Sequence, residues 1–345
     1  MIDELDLALV DALRVDPRAP WSRLAQPLGV DPATLSRRWA RLCGSGDAWV
    51  AGYPSADRTD LGLIALVAVE CRADAVASVA TALAADPQAA TVELVSGGAD
   101  LLVTVAALTR EQLTDYVLDR MSRLSGVLRT TISFVERTLR EGSRWSDGAL
   151  DPQQRAAIAP DPARRDPALR PARAVLRDRR LLHALGEDGR MPYAVLGQRL
   201  GQPATTVRRR VAELRDSGQL VLRCDASPRL TGHPLGTMLW LDLPANRLEA
   251  AALWLCELPQ TRMCAVTVGS ANLAAYLMTR GFAETRRVEE ELSRRFPEAR
   301  VRDRQVTLRT AKLVGRLLDP QGRAVGYVPI DPWAPRAAPP PTPGG

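Results

Sequence analysis

Residues 28–42 read LGVDPATLSRRWARL, and residues 200–214 read LGQPATTVRRRVAEL. They are one pattern written twice, 172 positions apart (28 to 200). Each sets a glycine, Gly29 or Gly201, before a segment with apolar residues at i, i+4 and i+7. These are Leu35, Trp39 and Leu42 in the first copy, and Val207, Val211 and Leu214 in the second. That spacing lines one face of a helix. The other face carries Thr34, Ser36, Arg37, Arg38 and Arg41 in the first copy, and Thr205, Thr206, Arg208, Arg209 and Arg210 in the second. A helix anchored on one side and offering Thr, Ser and Arg on the other suits a DNA major groove. The alternative for any single helix is a solvated basic face; the duplication favours two readers in one chain. One Arg of each adjacent pair is also available to brace its own domain through a carboxylate, and the sequence leaves open which.

The repeat extends in both directions. Upstream, Leu5, Leu9 and Leu13 lead to Asp16-Pro17-Arg18, and Leu181, Leu182 and Leu185 lead to Asp188-Gly189-Arg190. Second helices are expected over Trp21–Leu28 and Tyr193–Leu200, closed by Gly29 and Gly201. Asp31-Pro32 supplies a helix cap and a first-turn proline, whereas Gln202-Pro203 caps less well. The third helices stop at Ser45-Gly46 and Ser217-Gly218, and β-prone stretches follow at Trp49–Val50 and Leu220–Leu222. Three helices and a β-wing make a winged helix-turn-helix, expected over residues 1–55 and again over 173–226.

About eighty residues after each unit follow the order βαββαβ. In the first half the elements are Leu61–Cys71, Asp74–Ala85, Ala89–Ser96, Asp100–Ala107, Glu111–Leu124 and Leu128–Thr138. In the second they are Leu235–Leu243, Arg247–Leu258, Thr261–Val268, Asn272–Thr279, Ala283–Phe296 and Arg300–Thr310. This is the ferredoxin-like arrangement, expected over 60–140 and 233–319. The fold class is therefore α+β. Residues 141–172, with Asp-Pro at 151–152, 161–162 and 166–167, read as a linker with one helical turn near Gln153–Ile158. A Pro-rich tail, 327–345, is expected to be disordered.

Composition narrows the function classes. The 345 residues carry a net charge of +6, which permits a polyanionic partner. The charge is uneven: residues 1–52 hold six Arg against seven acids, while 170–226 hold twelve Arg against six acids. The second copy thus has the stronger phosphate attraction. The longest apolar run, Leu61–Val69, is far too short for a membrane span, and the acidic start Met1-Ile2-Asp3-Glu4 is unlike a signal peptide. Five scattered cysteines without a CxxC pair suggest neither a disulfide frame nor a zinc site. A cytoplasmic location is expected, with no membrane partner, no metal and no cofactor. Walker, GxGxxG, HExxH and GxSxG motifs are missing from the sequence, so no catalytic residues are assigned and an enzyme is not expected.

The register LA..LG.....T.RR...L..SG followed by βαββαβ resembles the Lrp/AsnC family of transcription regulators. The matching residues are Leu5-Asp6, Asp16-Pro17-Arg18, Leu24-Ala25, Leu28-Gly29, Arg37-Arg38, Leu42 and Gly46. The second series is Asp178, Asp188-Gly189-Arg190, Leu196, Leu200-Gly201, Arg209-Arg210, Leu214 and Gly218. The resemblance covers residues 3 to about 318 apart from the linker. It implies binding of double-stranded DNA through the third helices, pairing of the βαββαβ domains, and response to an amino acid or similar effector. Members with one copy dimerise, so a tandem chain is expected to form an intrachain pseudo-dimer, with further homo-oligomer formation left open. The resemblance also places an effector loop at Ser96–Asp100, with Gly97, Gly98 and Asp100 as candidate contacts and Gly269 and Asn272 as their counterparts. Exposed backbone N–H groups there would suit a carboxylate, and Asp100 an ammonium group. The plainer reading is a Gly-Gly hairpin with Asp as turn former. Some relatives are siroheme decarboxylases built from two similar subunits, and a fused pair would fit that organisation. The only histidines, His183 and His233, make acid–base work on a tetrapyrrole the weaker alternative.

Overall fold

The computed structural model describes residues 2–55, 62–160 and 178–334. The chain divides into two units, and each gathers the same part of both sequence halves. The first holds residues 1–61, 142–232 and 323–325; the second holds 62–141, 233–322 and 326–345.

In the first unit, α1 (Glu4–Val15), α2 (Trp21–Leu28) and α3 (Pro32–Gly44) form one helix-turn-helix, and α7 (Arg179–Glu187), α8 (Tyr193–Leu200) and α9 (Ala204–Asp216) the other. Asp3 caps α1 in a reciprocal box with Asp6, and Asp31 caps α3 by accepting from the Thr34 N–H. Gly29 and Gly201 end α2 and α8 in the left-handed region, at φ 67° and 66°. The strands after the third helices do not fold back as separate wings. β1 (Ala48–Pro54) pairs antiparallel with β6 (Leu220–Ala226), from Ala48 opposite Ala226 to Pro54 opposite Leu220. Among the described residues neither strand has a hairpin partner of its own, and each pairs its backbone groups with the other copy. The first domain's core consequently includes Cys224 and Leu230 from the second half.

The expected linker departs from a loose connector where it is described. Trp145, Leu150 and Ile158 are buried against the first helix-turn-helix, and α6 (Pro152–Ile158) is capped by Asp151. Asp147 pairs with Arg14 at 2.6 Å, while buried Asp11 accepts from the Leu150 N–H and from Arg155. Apolar anchors and buried carboxylates together hold residues 145–158 against α1 and α2. Residues 161–177 of that linker lie outside the described residues.

The second unit is built on β2 (Leu63–Cys71), β3 (Ala89–Val95), β4 (Leu101–Ala107) and β5 (Val127–Arg140), and on β7 (Leu235–Asp242), β8 (Thr261–Val268), β9 (Leu273–Thr279) and β10 (Arg300–Leu313). Within each half the strand order is ferredoxin-like, β3-β4-β2-β5 and β8-β9-β7-β10. Between halves β5 pairs with β8 and β3 with β10, so the eight strands close on themselves. The helices α4 (Val76–Ala84), α5 (Arg110–Asp115, continuing as a π-helical turn over Tyr116–Met121), α10 (Ala245–Glu257) and α11 (Phe282–Arg295) cover the outside.

Strand alternation sorts the core. Ala65, Val67 and Val69 of β2 face α4 and α5, while Leu66 turns inward to meet Met238, Trp240 and Ala274 of the other half. Burial on both faces explains the near-continuous apolar run LIALVAV. One expected helix, Glu111–Leu124, is instead split, because the π turn lets Tyr116, Val117 and Met121 all reach the interior.

Beyond β10, β11 (Arg316–Leu318) adds a short strand. The expectation of disorder from Tyr327 onward is corrected for the described residues. The Val328 N–H donates to Gly315 and that of Asp331 to Pro87, and Asp331 is buried. Residues 335–345 lie outside the described residues.

Candidate nucleic-acid interface and effector loops

Each third helix is seated by its apolar row: Leu35, Trp39 and Leu42 are buried on α3, and Val207, Val211 and Leu214 on α9. On the opposite face Ser36, Arg37, Thr205, Arg208 and Arg209 are exposed. Arg37 donates to Thr34 Oγ1 at 3.3 Å, and the Thr34 hydroxyl donates to Asp31 at 2.6 Å. The Thr34 hydroxyl foremost, and then the Thr34 N–H, which donates to Asp31 Oδ1 at 2.9 Å, lower the Asp31 pKa. Thr206 is half-exposed, and Arg209 lies 3.7 Å from Glu213 with three-quarters of its side chain exposed.

Two of the ten expected contacts are withdrawn from the reading face. Arg38 binds Asp3 at 2.7 Å and Asp6 at 3.0 Å; Arg210 binds Asp178 at 2.6 Å and Glu213 at 2.9 Å. Arg38 and Arg210 are equivalent under the 172-residue offset, as are Asp6 and Asp178, so both heads use the same brace from the first helix to the third. Asp6 is fully buried and needs a cation to satisfy it. Hydrogen bonding to Asp3 and Asp6 raises the Arg38 pKa, and bonding to Asp178 and then Glu213 raises that of Arg210. Both stay cationic. Arg41 also touches Asp6, at 2.6 Å, yet its side chain remains 43% exposed. It serves brace and surface together.

The effector-loop residues are engaged differently from the expectation. Asp100 does not stand free for an ammonium group: its Oδ2 accepts the Cys71 N–H at 2.8 Å, tying the end of β2 to the β3–β4 turn. Asn272 does the equivalent work, accepting the Leu243 N–H at 3.1 Å and donating to the Leu243 carbonyl at 2.7 Å. The missing charge in the second copy therefore costs that turn nothing in hydrogen bonding. Gly97 has φ 95°, and a Cβ there would meet the Arg304 carbonyl and the Asp303 carboxylate, each at 2.9 Å. The Gly98 N–H donates to Asp303 Oδ2 at 3.2 Å. A carboxylate thus does sit on this glycine turn, and it belongs to β10 of the same chain. Gly269 lies against Ser133, where a Cβ would approach Oγ to 2.5 Å.

Asp303 escaped the sequence reading because RVRDRQV looks like any charged strand. Asp6 and Asp178 were visible only as matched positions of the repeat. Among the described residues there is no cluster of His, Cys, Asp or Glu able to hold a metal ion, and no helix long and apolar enough to cross a membrane.

Residues 2–42 and 177–215 match the AsnC-type helix-turn-helix domain, and residues 64–145 match the Lrp/AsnC ligand binding domain. The HTH-type transcriptional regulator AldR of Mycolicibacterium smegmatis is 31% identical over 150 residues, covering 41% of this chain and 85% of that protein. An uncharacterized HTH-type transcriptional regulator of Pyrococcus furiosus is 25% identical over 144 residues, 39% of this chain and 92% of its own length. Each of these relatives thus corresponds to less than half of the chain. Over nearly its whole length, the chain shares its fold with the siroheme decarboxylase NirDL. The TM-score is 0.57 at 17% identity, with 90% of this chain and 93% of that one covered.

Proposed function

The chain belongs to the Lrp/AsnC family of helix-turn-helix transcription regulators, and on that premise we propose that it is a sequence-specific DNA-binding regulator acting in the cytoplasm. Arg37, Arg41, Arg208 and Arg209 hold phosphates or guanine edges, and Ser36, Thr34, Thr205 and Thr206 supply shorter contacts. The observation that carries this reading is the pair of exposed Arg/Thr/Ser faces, each on a helix seated by a buried row and braced by an Asp–Arg pair. A small effector, an amino acid or related metabolite, acts on the βαββαβ unit and changes how the readers are presented. A carboxylate-bearing effector that uses the Gly97-Gly98 turn competes with Asp303 for the Gly98 N–H.

The test is fluorescence anisotropy of a labelled duplex from upstream of the protein's own coding region, against a scrambled duplex, over a range of salt. The expected result is binding that falls with salt and favours the native duplex. Equal or absent binding to both rejects the assignment. The alternative, a siroheme decarboxylase-like enzyme of two fused halves, is favoured by one observation, the fold shared with NirDL across nine-tenths of the chain. Absorption spectra of the chain titrated with siroheme separate the two readings.

A further inference from the structure

We infer that the operator recognised by this chain is an inverted pair of non-identical half-sites, a target whose geometry is two-fold but whose sequence is not. The inference rests on the DNA-binding reading and adds the form of the partner.

The geometry is two-fold because the two heads are related by a local dyad inside one unit. In the β1–β6 pairing Ala51 lies opposite Arg223, its own equivalent 172 positions on (51 to 223). On either side the register mirrors itself, with Ala48 opposite Ala226 and Pro54 opposite Leu220. Such an isologous contact is what relates the subunits of a symmetric dimer. Here it relates α3 to α9, and readers related by a dyad address half-sites in inverted orientation.

The reading faces are not copies. Counting by the same offset, Thr34 and Arg37 recur as Thr206 and Arg209, but Ala33 becomes Thr205, Ser36 becomes Arg208 and Arg41 becomes Glu213. Ser36 and Arg208 are both exposed in the first half of their helices, the part that reaches base edges. Arg208 has the planar fork that pairs with guanine O6 and N7, whereas Ser36 has one short hydroxyl with no fixed preference. The helix ends differ too. The first helix starts on the ionised cap Asp31, which also holds the Thr34 hydroxyl, while Pro203 occupies that place in the second. Near the C-terminal end the first helix offers Arg41, and the second offers Glu213, an acid that repels phosphate. The second head therefore draws its attraction from Arg208 and Arg209, and the first from Arg37 and Arg41.

The two faces are fixed in one polypeptide and cannot be exchanged for two of a kind. A palindrome of the half without the guanine would leave Arg208 facing the wrong base. An operator with a guanine facing Arg208 in one half and no such requirement facing Ser36 in the other satisfies both.

The test is selection of the full chain on a random duplex library, followed by anisotropy at one salt concentration. Three duplexes are compared: the selected site, a palindrome of its first half and a palindrome of its second. The expected result is an inverted, unequal site, with the palindrome of the half that lacks the Arg208 guanine about tenfold or more weaker, the scale of a mismatched base pair. Arg208→Ser is expected to erase the guanine preference in one half-site only. A symmetric selected site, a direct repeat, or a guanine-lacking palindrome as tight as the selected site would overturn the inference while leaving DNA binding intact. No enrichment of any sequence would overturn the DNA-binding reading as well, and the inference with it.

Discussion

Arg18 and Arg190, equivalent under the 172-residue offset (18 to 190), reach across to each other's turns. Arg18 donates to the carbonyls of Gly189 at 2.6 Å and Met191 at 2.9 Å, and Arg190 to those of Pro17 at 2.7 Å and Ala19 at 3.0 Å. Each guanidinium lies over an aromatic ring of the other half, Tyr193 at 4.4 Å and Trp21 at 3.9 Å. Burial, with Arg18 nearby, pushes Arg190 down to about 10, so it remains charged at neutral pH. Replacing Arg18 or Arg190 by Ala leaves two carbonyls without their donor and removes a stacked cation. A loss of about 2 to 4 kcal/mol is expected from denaturant unfolding. Lys at either position should restore little, since one ammonium lacks the planar fork. Full recovery by Lys would reject this account.

Gly189 makes room for that exchange. A Cβ on it would come within 2.4 Å of Val50 Cγ1 and 3.2 Å of the Val50 backbone, and its N–H donates to the Val50 carbonyl at 2.8 Å. Gly189→Ala must therefore push β1 outward. A loss of about 1 to 3 kcal/mol is expected, with DNA affinity reduced through the shared strand pair. An Ala variant as stable as the parent would mean that β1 gives way freely.

The brace and the reading face should separate experimentally. Arg208→Ala with Arg209→Ala is expected to lower DNA affinity, to lose the guanine preference of one half-site and to reduce the slope of log K against log salt by about 1, the share of one phosphate contact, with little change in unfolding. Arg210→Ala should do the reverse, because it leaves Asp178 without its cation. Equal effects of the two changes on affinity and stability would return Arg210 to the reading face.

How much of this was legible depended on the range of the interaction. The apolar rows of α3 and α9, the caps and the βαββαβ order follow from local periodicity, and the constant offset carried each across to the second half. The partner of β1 did not: AWVAGYP suits a hairpin wing as well as it suits β6, and only packing chooses. Nor could adjacent arginines be told apart, since Arg37 and Arg38 differ only in which one the buried Asp6 captures. Asp303 meets Gly98 across 205 positions, a contact without any local signature.

That contact gives a test of effector access. Asp303→Ala frees the Gly98 N–H and also releases Gln305, which donates to Asp303 at 3.0 Å while holding the Trp240 indole. If a carboxylate-bearing effector uses this turn, the variant should be stabilised in a thermal-shift panel of amino acids at lower concentrations than the parent. Identical responses would remove the Gly97-Gly98 turn from consideration.

The last expectation concerns pH. Lys312, the only lysine in the chain, is fully buried, and its ammonium donates to the Asp86 carbonyl at 2.8 Å. Burial pushes its pKa down to about 7 from the 10.5 of an ordinary lysine, against the partial support of the Asp86 carboxylate. That carboxylate is itself held by Tyr116 and Arg120. A cation depressed on folding makes the unfolded chain the better proton binder between pH 7 and 10.5. Stability contributed by this site therefore rises with pH across that window, by up to about 1.4 kcal/mol per pH unit, and is lowest below 7. Arg140, the equivalent residue of the first half, donates to the Leu258 carbonyl at 2.9 Å and keeps its charge throughout, so the slope belongs to one half only. Denaturant midpoints at pH 6.5, 7.5 and 8.5 should climb for the parent and climb less for Lys312→Met, which has nothing to titrate. Parallel curves for the two proteins would show that Lys312 holds the same charge in the folded and unfolded states.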